Sequence, residues 1–447
     1  KIVTAARAVE ADAIHPGYGF LSENHLFVRA CSEAGITFIG PSAESMEMMG
    51  DKVQARRTAE GAGVRVVPGS DRRLDSLEEA VGAAGSLGYP VMLKARAGGG
   101  GKGLRLIRSE EELKQAFILT RGEAEASFGD SRVFLEKVVP RPRHIEVQIL
   151  GDQFGSLVHL GERECSIQRR HQKIVEECPS PRVGVAFREA LGEAALSVAR
   201  ASGYFNAGTV EFLVDGRSAA EVPPFYFLEI NARLQVEHPV TEMVYGVDLV
   251  KEQIRIAAGE PLKLQQERLA PRGAAVECRV YAEDPANNFL PSPGTVSTLL
   301  EPAGPGIRND SGVFQGATIP VDYDPLISKL VAWGEDRAEA LQRMRRALRE
   351  YKVTGVATTI PFFRGLFRHP DFLKGDLTTK FLDEHVLLDT LGRTANDEVD
   401  AAVIGAALDY YFKASQTPSS IVGRPSSPWR RDARQRGLRS GPWNFKK

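Results

Sequence analysis

Residues Leu228 to Glu242 read Leu-Glu-Ile-Asn-Ala-Arg-Leu-Gln-Val-Glu-His-Pro-Val-Thr-Glu, and this stretch decides the fold. Alternate side chains of a strand share a face, so five polar residues are predicted to project together. They are Glu229, Asn231, Arg233, Gln235 and Glu237. Carboxylate and amide oxygens suit a hard cation, whereas arginine beside a carboxylate suits an anion that must lose a proton. A solvated strand face is the poorer interpretation, because such a face does not need this succession of polar types.

The composition predicts a globular protein of several domains. A chain of 447 residues with 43% hydrophobic and 26% charged residues is long enough for roughly two to four domains. Its 57 basic and 58 acidic residues nearly balance, so no net field recruits nucleic acid or an anionic membrane. No apolar run approaches the ~20 residues of a spanning helix, and Lys1 to Glu10 reads as an alanine-rich helix rather than a signal peptide.

The four cysteines form no CxxC pair and are predicted to be buried free thiols. They are Cys31, Cys165, Cys178 and Cys278. Free thiols indicate a reducing compartment, which is the cytoplasm, or the mitochondrial matrix if the source is a eukaryote.

The first segment is predicted to be a truncated α/β domain. An opening helix leads into Asp12-Ala-Ile-His-Pro-Gly-Tyr-Gly19, a strand and glycine-rich turn typical of the second or third unit of such a domain. The segment ends near Pro68. Within it, Met46 to Ala62 is predicted to be a helix that carries Asp51 and Lys52 and is closed by glycines.

Two capping boxes, Ser76 to Glu79 and Ser109 to Glu112, are predicted to start helices on either side of two strands, residues 91–94 and 104–107. A glycine-rich hairpin lies between these strands. Its loop, Gly98 to Gly103, opens a strand rather than a helix, unlike a dinucleotide fingerprint, and it lacks the first Gly and the Ser or Thr of a Walker A loop. Amides that fold over phosphates, with Lys94 on the entering strand, fit ATP. Taken alone, a flexible surface hairpin fits equally well.

Two polar segments favour the ATP interpretation. Glu136 precedes Pro140 at the end of a predicted strand, where main chain and carboxylate could read an adenine amino group. His144, Glu146 and Gln148 share a face of the next strand. Taken alone, each of these two strands is better explained as a half-exposed strand without a binding role. Residues 162–177 carry an anion-handling set consisting of Gln168, His171 and Lys173, with a generic charged loop as the alternative.

Two further strands, residues 208–214 and 225–231, are predicted to pair as a hairpin that places Glu211 near Glu229. Two like charges in opposition destabilise a sheet unless a cation bridges them. Mg²⁺ bound to ATP phosphates is the expected bridge.

These motifs, in this order, resemble those of biotin carboxylase, the ATP-grasp component of biotin-dependent carboxylases. The resemblance runs from Lys1 to about Glu384 and also includes His15 to Asn24, Arg169 to Lys173 and Ala275-Val-Glu-Cys-Arg279. It implies a mixed α/β (α+β) fold. The implied parts are a truncated N-terminal domain (1–68), an ATP-grasp domain with a glycine-rich lid (69–271, lid about 69–138), a biotin carboxylase C-terminal domain (272–385), and a helix with a linker or tail (386–447).

The resemblance also implies roles for individual residues. The implied ATP contacts are Lys52, Lys94, Gly99, Gly100, Gly101, Glu136, Lys137, His144, Gln168 and His171. Glu211, Glu229 and Asn231 are implied to bind Mg²⁺ or Mn²⁺. Bicarbonate is assigned to Lys173, Arg233, Gln235, Val236 and Glu237, and the biotin ureido ring to Tyr18 and Arg308. The catalytic residues are expected to be Glu237, Arg233, Lys173 and Arg308.

The implied activity is ATP-dependent carboxylation of carrier-borne biotin with bicarbonate, through carboxyphosphate, as the first half-reaction of an acyl-CoA carboxylase. The expected partners are a biotin carrier protein or domain and a carboxyltransferase subunit, within a homodimer or larger complex, with neither nucleic acid nor membrane. No Met-Lys-Met occurs in the sequence, so this chain is expected not to carry biotin itself. The alternatives are another ATP-grasp ligase, which joins a carboxylate to an amine, and a non-catalytic relative.

Three features depart from the family pattern. Asp215 to Pro224 is a longer loop than usual, Ala232 stands where Thr is usual, and Arg96 borders the glycine hairpin where a small residue is usual. The Ser- and Pro-rich residues 415–428 and the Arg-rich end are predicted to be a linker, with a nucleic-acid-binding tail as the alternative.

Overall fold

The computed structural model describes residues 1–70, 74–95, 104–129, 131–385 and 396–415. The predicted glycine loop, with Gly99, Gly100 and Gly101, and the tail beyond Ser415 lie outside these residues. The chain divides into two compact units, Lys1–Leu391 and Gly392–Lys447. In the described ranges, no helix has the length and apolar character needed to cross a membrane.

The N-terminal segment contains two short parallel strands and four helices. In chain order they are α1 (Ile2–Ala8), β1 (Ala13–Ile14), α2 (His25–Glu33), β2 (Thr37–Phe38), α3 (Ala43–Gly50) and α4 (Lys52–Gly61). The predicted helix from Met46 to Ala62 is therefore wrong in one respect, because it is broken at Asp51. Asp51 has extended backbone, and its carboxylate accepts the N–H groups of Val53 and Gln54, which caps α4.

The lid segment is a small antiparallel sheet covered by two helices. Its elements are α5 (Leu77–Leu87), β3 (Val91–Ala95), β4 (Leu104–Ile107), α6 (Glu110–Phe128) and β5 (Val133–Lys137), with strand order β4-β3-β5. The predicted start of α5 is confirmed, since Ser76 and Glu79 form a reciprocal capping box. Leu93, Phe117 and Leu135 pack in the core between the helices and the sheet, where each buried side chain contributes about 1.5–3 kcal/mol.

The centre of the molecule is one antiparallel sheet of eight strands, in the order β10-β9-β6-β7-β8-β11-β18-β16. The strands are β6 (Pro142–Gly151), β7 (Leu157–Arg169), β8 (Gln172–Cys178), β9 (Asn206–Asp215), β10 (Phe225–Asn231), β11 (Ala274–Tyr281), β16 (Ile307–Ser311) and β18 (Leu326–Gly334). Strands β8 and β11 pair with Glu176 opposite Glu277, so the sheet runs across the predicted domain boundary at residue 271. The predicted division into domains stays a prediction.

Three helices pack against the eight-stranded sheet. They are α7 (Val185–Ala201), α8 (His238–Tyr245) and α9 (Leu249–Ala257). Phe187 and Leu191 of α7 pack in the core formed with β6 and β9. The predicted hairpin of β9 and β10 is confirmed, with Glu229 directly opposite Glu211.

The opening prediction of one continuous strand face is wrong beyond Asn231. Strand β10 ends there, the chain turns, and α8 begins at His238 with Pro239 in its first turn. Proline is well suited to that position because its missing N–H would have no partner in the helix. The polar residues from Arg233 to Glu237 therefore lie on a turn that bends back over the sheet.

The remaining elements form the C-terminal part. They are β12 (Glu283–Asp284), β13 (Leu290–Pro291), β14 (Gly294–Thr295), β15 (Thr298–Leu300), β17 (Thr318–Ile319), α10 (Arg337–Glu350), β19 (Lys352–Thr354), α11 (Ile360–Leu366), α12 (Pro370–Leu373), α13 (Phe381–Glu384) and, in the second unit, α14 (Asn396–Ser415). The buried face of α10 includes Leu341 and Met344. All four cysteines are free and buried, as predicted.

Candidate active site

The Glu237 carboxylate is fully buried between two cations. Its Oε1 accepts a hydrogen bond from Lys173 Nζ at 2.8 Å, and its Oε2 accepts one from Arg279 Nη2 at 2.9 Å. Burial by itself would raise the pKa of Glu237, but Lys173 and Arg279 outweigh that effect and hold the pKa well below its ordinary value. Glu237 is therefore ionised at neutral pH, which is the state that a proton acceptor requires.

Lys173 joins this carboxylate to those on the neighbouring strands. Besides Glu237, its ammonium group donates to Glu211 at 2.8 Å and to Glu146. Burial favours the neutral amine, yet the three carboxylates raise the pKa of Lys173 well above its ordinary value. A fixed positive charge thus lies between Glu237 and the predicted metal ligands.

Arg163 is a buried part of the site that sequence reasoning missed. Its guanidinium donates to Glu146 at 2.5 Å, to Gln148 at 2.7 Å and to the hydroxyls of Thr209 and Thr241 at 3.0 and 2.9 Å. It holds Glu146, which in turn contacts Lys173. One signal was available in the sequence. Side chains alternate between the two faces of a strand, and strand β7 pairs Arg163 with Glu146, a residue of the predicted polar face.

The three predicted metal ligands meet at the end of the β9–β10 hairpin. Asn231 Nδ2 donates to Glu211 Oε1 at 2.9 Å, and Glu229 lies directly across the hairpin. Burial and the nearby Glu211 raise the pKa of Glu229, whereas Lys173 and His144 outweigh burial and lower that of Glu211. Two carboxylates and an amide oxygen are donors that Mg²⁺ accepts, so the residues present fit this ion.

The predicted anion residues Arg233 and Gln235 lie on the turn after β10. Arg233 Nη1 donates to Gln235 Oε1 at 3.2 Å and Nη2 to Asn231 Oδ1 at 3.3 Å. Glu23 anchors the other side of the turn, since it accepts Arg233 Nε at 2.9 Å and the Ala232 N–H at 3.1 Å. The N-terminal motif that contains Glu23 therefore serves to hold Arg233.

A cavity of about 360 Å³ opens between the lid and the large sheet. Five of the predicted ATP residues line it, namely Lys94, Glu136, Lys137, Gln168 and His171. Its apolar wall includes Met92 and Leu213, which sequence reasoning did not identify. Two other predicted ATP residues do not line this cavity. His144 lies beside it and contacts Gln168 at 2.8 Å, whereas Lys52 lies 3.7 Å from Glu229, one of the predicted metal ligands.

The Glu136 carboxylate at this cavity is already held by two cations. Arg56 donates to it at 2.7 Å, and Lys94 forms a second ion pair. Its predicted contact with an adenine amino group therefore competes with these two pairs. The neighbouring main chain and the apolar wall suit a flat purine ring.

Arg308 contacts two acidic residues other than Glu237. Its guanidinium donates to Glu242 at 2.6 Å and to both oxygens of Asp310 at 2.8 and 2.9 Å. Tyr18, the other residue predicted to contact biotin, is partly exposed. The second cation beside Glu237, after Lys173, is Arg279, which belongs to the sequence motif Ala275 to Arg279 and was given no role there.

The chain matches known protein families over most of its length. Residues 1–46 match the biotin carboxylase N-terminal domain, residues 51–265 the ATP-binding domain of the carbamoyl-phosphate synthase L chain, and residues 277–384 the biotin carboxylase C-terminal domain. Biotin carboxylase of Nostoc sp. is 52% identical over 384 residues, which is 86% of this chain and 85% of that protein. The propionyl-CoA carboxylase alpha chain of Ruegeria pomeroyi is 48% identical over 86% of this chain and 59% of its own length.

Solved structures show the same likeness. The biotin carboxylase domain of Hydrogenobacter thermophilus 2-oxoglutarate carboxylase, a dimer in complex with MgADP, ADP and bicarbonate, has a TM-score of 0.84 and 48% identity, covering 87% of this chain and 84% of that one. Biotin carboxylase of Campylobacter jejuni has a TM-score of 0.83 and 46% identity, covering 86% of this chain and 84% of that one.

The fold and the paired carboxylates beside the lid cavity define an ATP-dependent ligase of the ATP-grasp class. Within that class, the chain belongs to the biotin carboxylase family.

Proposed function

We propose that this chain carboxylates biotin on a carrier protein, using ATP and bicarbonate, as the first half-reaction of an acyl-CoA carboxylase. The observation that carries the proposal is the buried Glu237 carboxylate, held ionised between Lys173 and Arg279. A ligase that joins a carboxylate to an amine does not need Glu237 and Arg233 together at this place. The relatives named biotin carboxylase give further support.

The proposed first step is proton removal from bicarbonate. Lys173, Arg233, Gln235 and the main chain at Val236 would hold the anion, and Glu237 would accept its proton. The resulting oxyanion attacks the γ-phosphoryl group of ATP, so that a new O–P bond forms and the bond to ADP breaks, giving carboxyphosphate. Bound Mg²⁺, which the two hairpin carboxylates and Asn231 would hold, supplies charge neutralisation at the phosphates.

The second step transfers the carboxyl group. Carboxyphosphate breaks down to CO₂ and phosphate, phosphate takes the N1 proton of biotin, and N1 attacks CO₂ to give carboxybiotin. A cation must stabilise the negative charge that develops on the ureido oxygen. We assign this role to Arg279 in place of Arg308, because Arg279 contacts the Glu237 carboxylate, beside which bicarbonate would bind, whereas Arg308 contacts Glu242 and Asp310.

The proposed partners are a biotin carrier protein or domain and a carboxyltransferase subunit, and the proposed assembly contains a homodimer of this chain. The likeness to the propionyl-CoA carboxylase alpha chain and to the biotin carboxylase subunit of pyruvate carboxylase supports the first point. The dimeric 2-oxoglutarate carboxylase domain supports the second.

The test is the substitution Glu237→Gln, which keeps the side-chain size and removes the base. Bicarbonate-dependent ATP hydrolysis should fall by ~10²–10⁴-fold, while the affinity for ADP, measured by calorimetry, should stay within about twofold because the nucleotide cavity is unchanged. Glu193→Gln removes an exposed carboxylate of α7 and serves as the matched control. Turnover retained in E237Q would overturn the assignment of the base.

A further inference from the structure

Lys329 lies on β18 in the middle of a charged row of the large sheet. Its cross-strand partners are Arg279 on β11 and Asp310 on β16, and its side chain is 6% exposed. A lysine directly opposite an arginine destabilises a sheet unless anions and hydrogen bonds compensate. Arg279 has its own anions in Glu176 and Glu237, so the contacts of Lys329 determine what this second cation does.

The ammonium group of Lys329 contacts three separate parts of the site. It donates to the carbonyl oxygen of Val236 at 3.2 Å, pairs with Asp310 Oδ2 at 3.3 Å, and lies 5.9 Å from the centroid of the Tyr18 ring. The Val236 carbonyl belongs to the peptide bond that leads into Glu237. One cation therefore contacts both the turn that carries the base and the residue predicted to flank biotin.

Asp310 alone does not require Lys329 as a counter-ion. Arg308 already donates to both oxygens of Asp310, at 2.8 and 2.9 Å. The contact of Lys329 with a main-chain carbonyl is, in contrast, directional, since it fixes the peptide plane between Val236 and Glu237. Small displacements of a catalytic group cost large factors in rate, so a buried donor at this peptide has a direct effect on the chemistry.

We propose that Lys329 is a positioning residue for carboxyl transfer: it holds the Val236–Glu237 peptide and the Tyr18 ring in register, so that bicarbonate and biotin meet at the correct distance. This inference rests on the proposed biotin carboxylase function. Lys329 acts through Val236 and Tyr18 and is not assigned a proton transfer.

The test compares Lys329→Met with Lys329→Arg and with the control Lys263→Met, which alters an exposed lysine. In full-length protein, K329M should lower kcat/KM for free biotin by ~10–100-fold and raise KM for bicarbonate several-fold. Affinity for ADP should stay within about twofold. K329R should recover most of the loss because it restores a charged donor, and K263M should match wild type.

Separate outcomes decide the two proposals. Wild-type protein without bicarbonate-dependent ATP hydrolysis would overturn the proposed function itself. Active wild type together with unchanged KM values in K329M would overturn only the role of Lys329, as would a loss of kcat at unchanged KM that K329R does not recover. If K329M fails to fold, Lys329→Gln carries the same test, with the same expected shifts in KM.

Discussion

Arg279 and Arg308 differ in what surrounds each guanidinium. Arg279 contacts the Glu237 carboxylate, whereas Arg308 contacts Glu242 and Asp310. Replacing Arg279 with Met should therefore lower biotin carboxylation by ~10²–10³-fold, the usual cost of removing one donor to a developing oxyanion. Arg308→Met should cost less than about tenfold, because its guanidinium contacts Glu242 and Asp310 rather than the Glu237 carboxylate. Steady-state assays with free biotin measure both.

The reverse order of effects would contradict the assignment and restore the one drawn from the sequence resemblance. Arg279→Lys is the matched control, since it keeps the positive charge and loses the forked geometry that reaches Glu176 and Glu237 together. We expect its activity to lie between those of wild type and R279M.

For single residues, the chemical type of the side chain predicted many of the site residues, but the sequence did not predict which side chains contact one another. Lys173, Glu211 and Glu237 were identified because their types suit anion and metal chemistry, and the structure brings them into contact. Arg163 was missed, because an arginine between two glutamates in sequence has the composition of a charged loop. Only the fold shows that it is buried beneath the site.

Among the elements, the β9–β10 hairpin contains a repulsion between two carboxylates, and a bound metal ion should remove it. Glu211 and Glu229 are directly opposed, and like charges in this arrangement destabilise a strand pair. Glu229→Gln should therefore leave the metal-free melting temperature equal or higher, by ~1–4 °C. The added stabilisation that Mg²⁺ gives in the presence of ADP should be lost in this variant, because a metal ligand is removed.

Differential scanning calorimetry with and without Mg²⁺ measures both effects. Glu221→Gln changes an exposed carboxylate on the loop of the same hairpin and is the matched control. An E229Q protein with the same magnesium-dependent rise as wild type would remove Glu229 from the metal site.

Element boundaries could be predicted where local chemistry determines them. The pairing of β9 with β10 followed from two apolar strands close together in sequence, and the capping box at Ser76 marked the start of α5. The alternation of polar and apolar residues after Asn231 led to the wrong prediction of a continuing strand, because the same alternation also occurs in a turn. Pro239 was the local signal that a helix starts there.

At the scale of the whole molecule, the site depends on a strand pairing that the sequence does not reveal. The predicted boundary at residue 271 separates Arg279 from Glu176, yet β11 pairs with β8 and brings the two side chains to 2.7 Å. No local pattern specifies which edge of a sheet a later strand joins. The mixed α/β class was predictable from the motifs, whereas the continuous eight-stranded sheet was not.

This pairing also links the stability of the molecule to pH. Burial raises the pKa of Glu176 from 4.5 to about 7, although Arg279 favours its ionised form. The folded state therefore binds the proton more tightly than the unfolded state, and the resulting stability is fully present below about pH 4.5 and is lost as the pH rises through about 7. Glu176→Gln is neutral at every pH and keeps an acceptor for Arg279, so it lacks this dependence.

The free energy of unfolding of wild type, relative to that of E176Q, should consequently fall by about 3 kcal/mol between pH 4.5 and pH 8, since each pKa unit corresponds to about 1.4 kcal/mol. Urea denaturation at a series of pH values measures the difference, and Glu193→Gln, at an exposed position, should run parallel to wild type. If wild type and E176Q also run parallel, Glu176 does not titrate in this range. Glu176 and Glu237 both accept hydrogen bonds from Arg279. A confirmed titration would therefore mean that Arg279 faces two carboxylates above about pH 7 but only one, that of Glu237, below it.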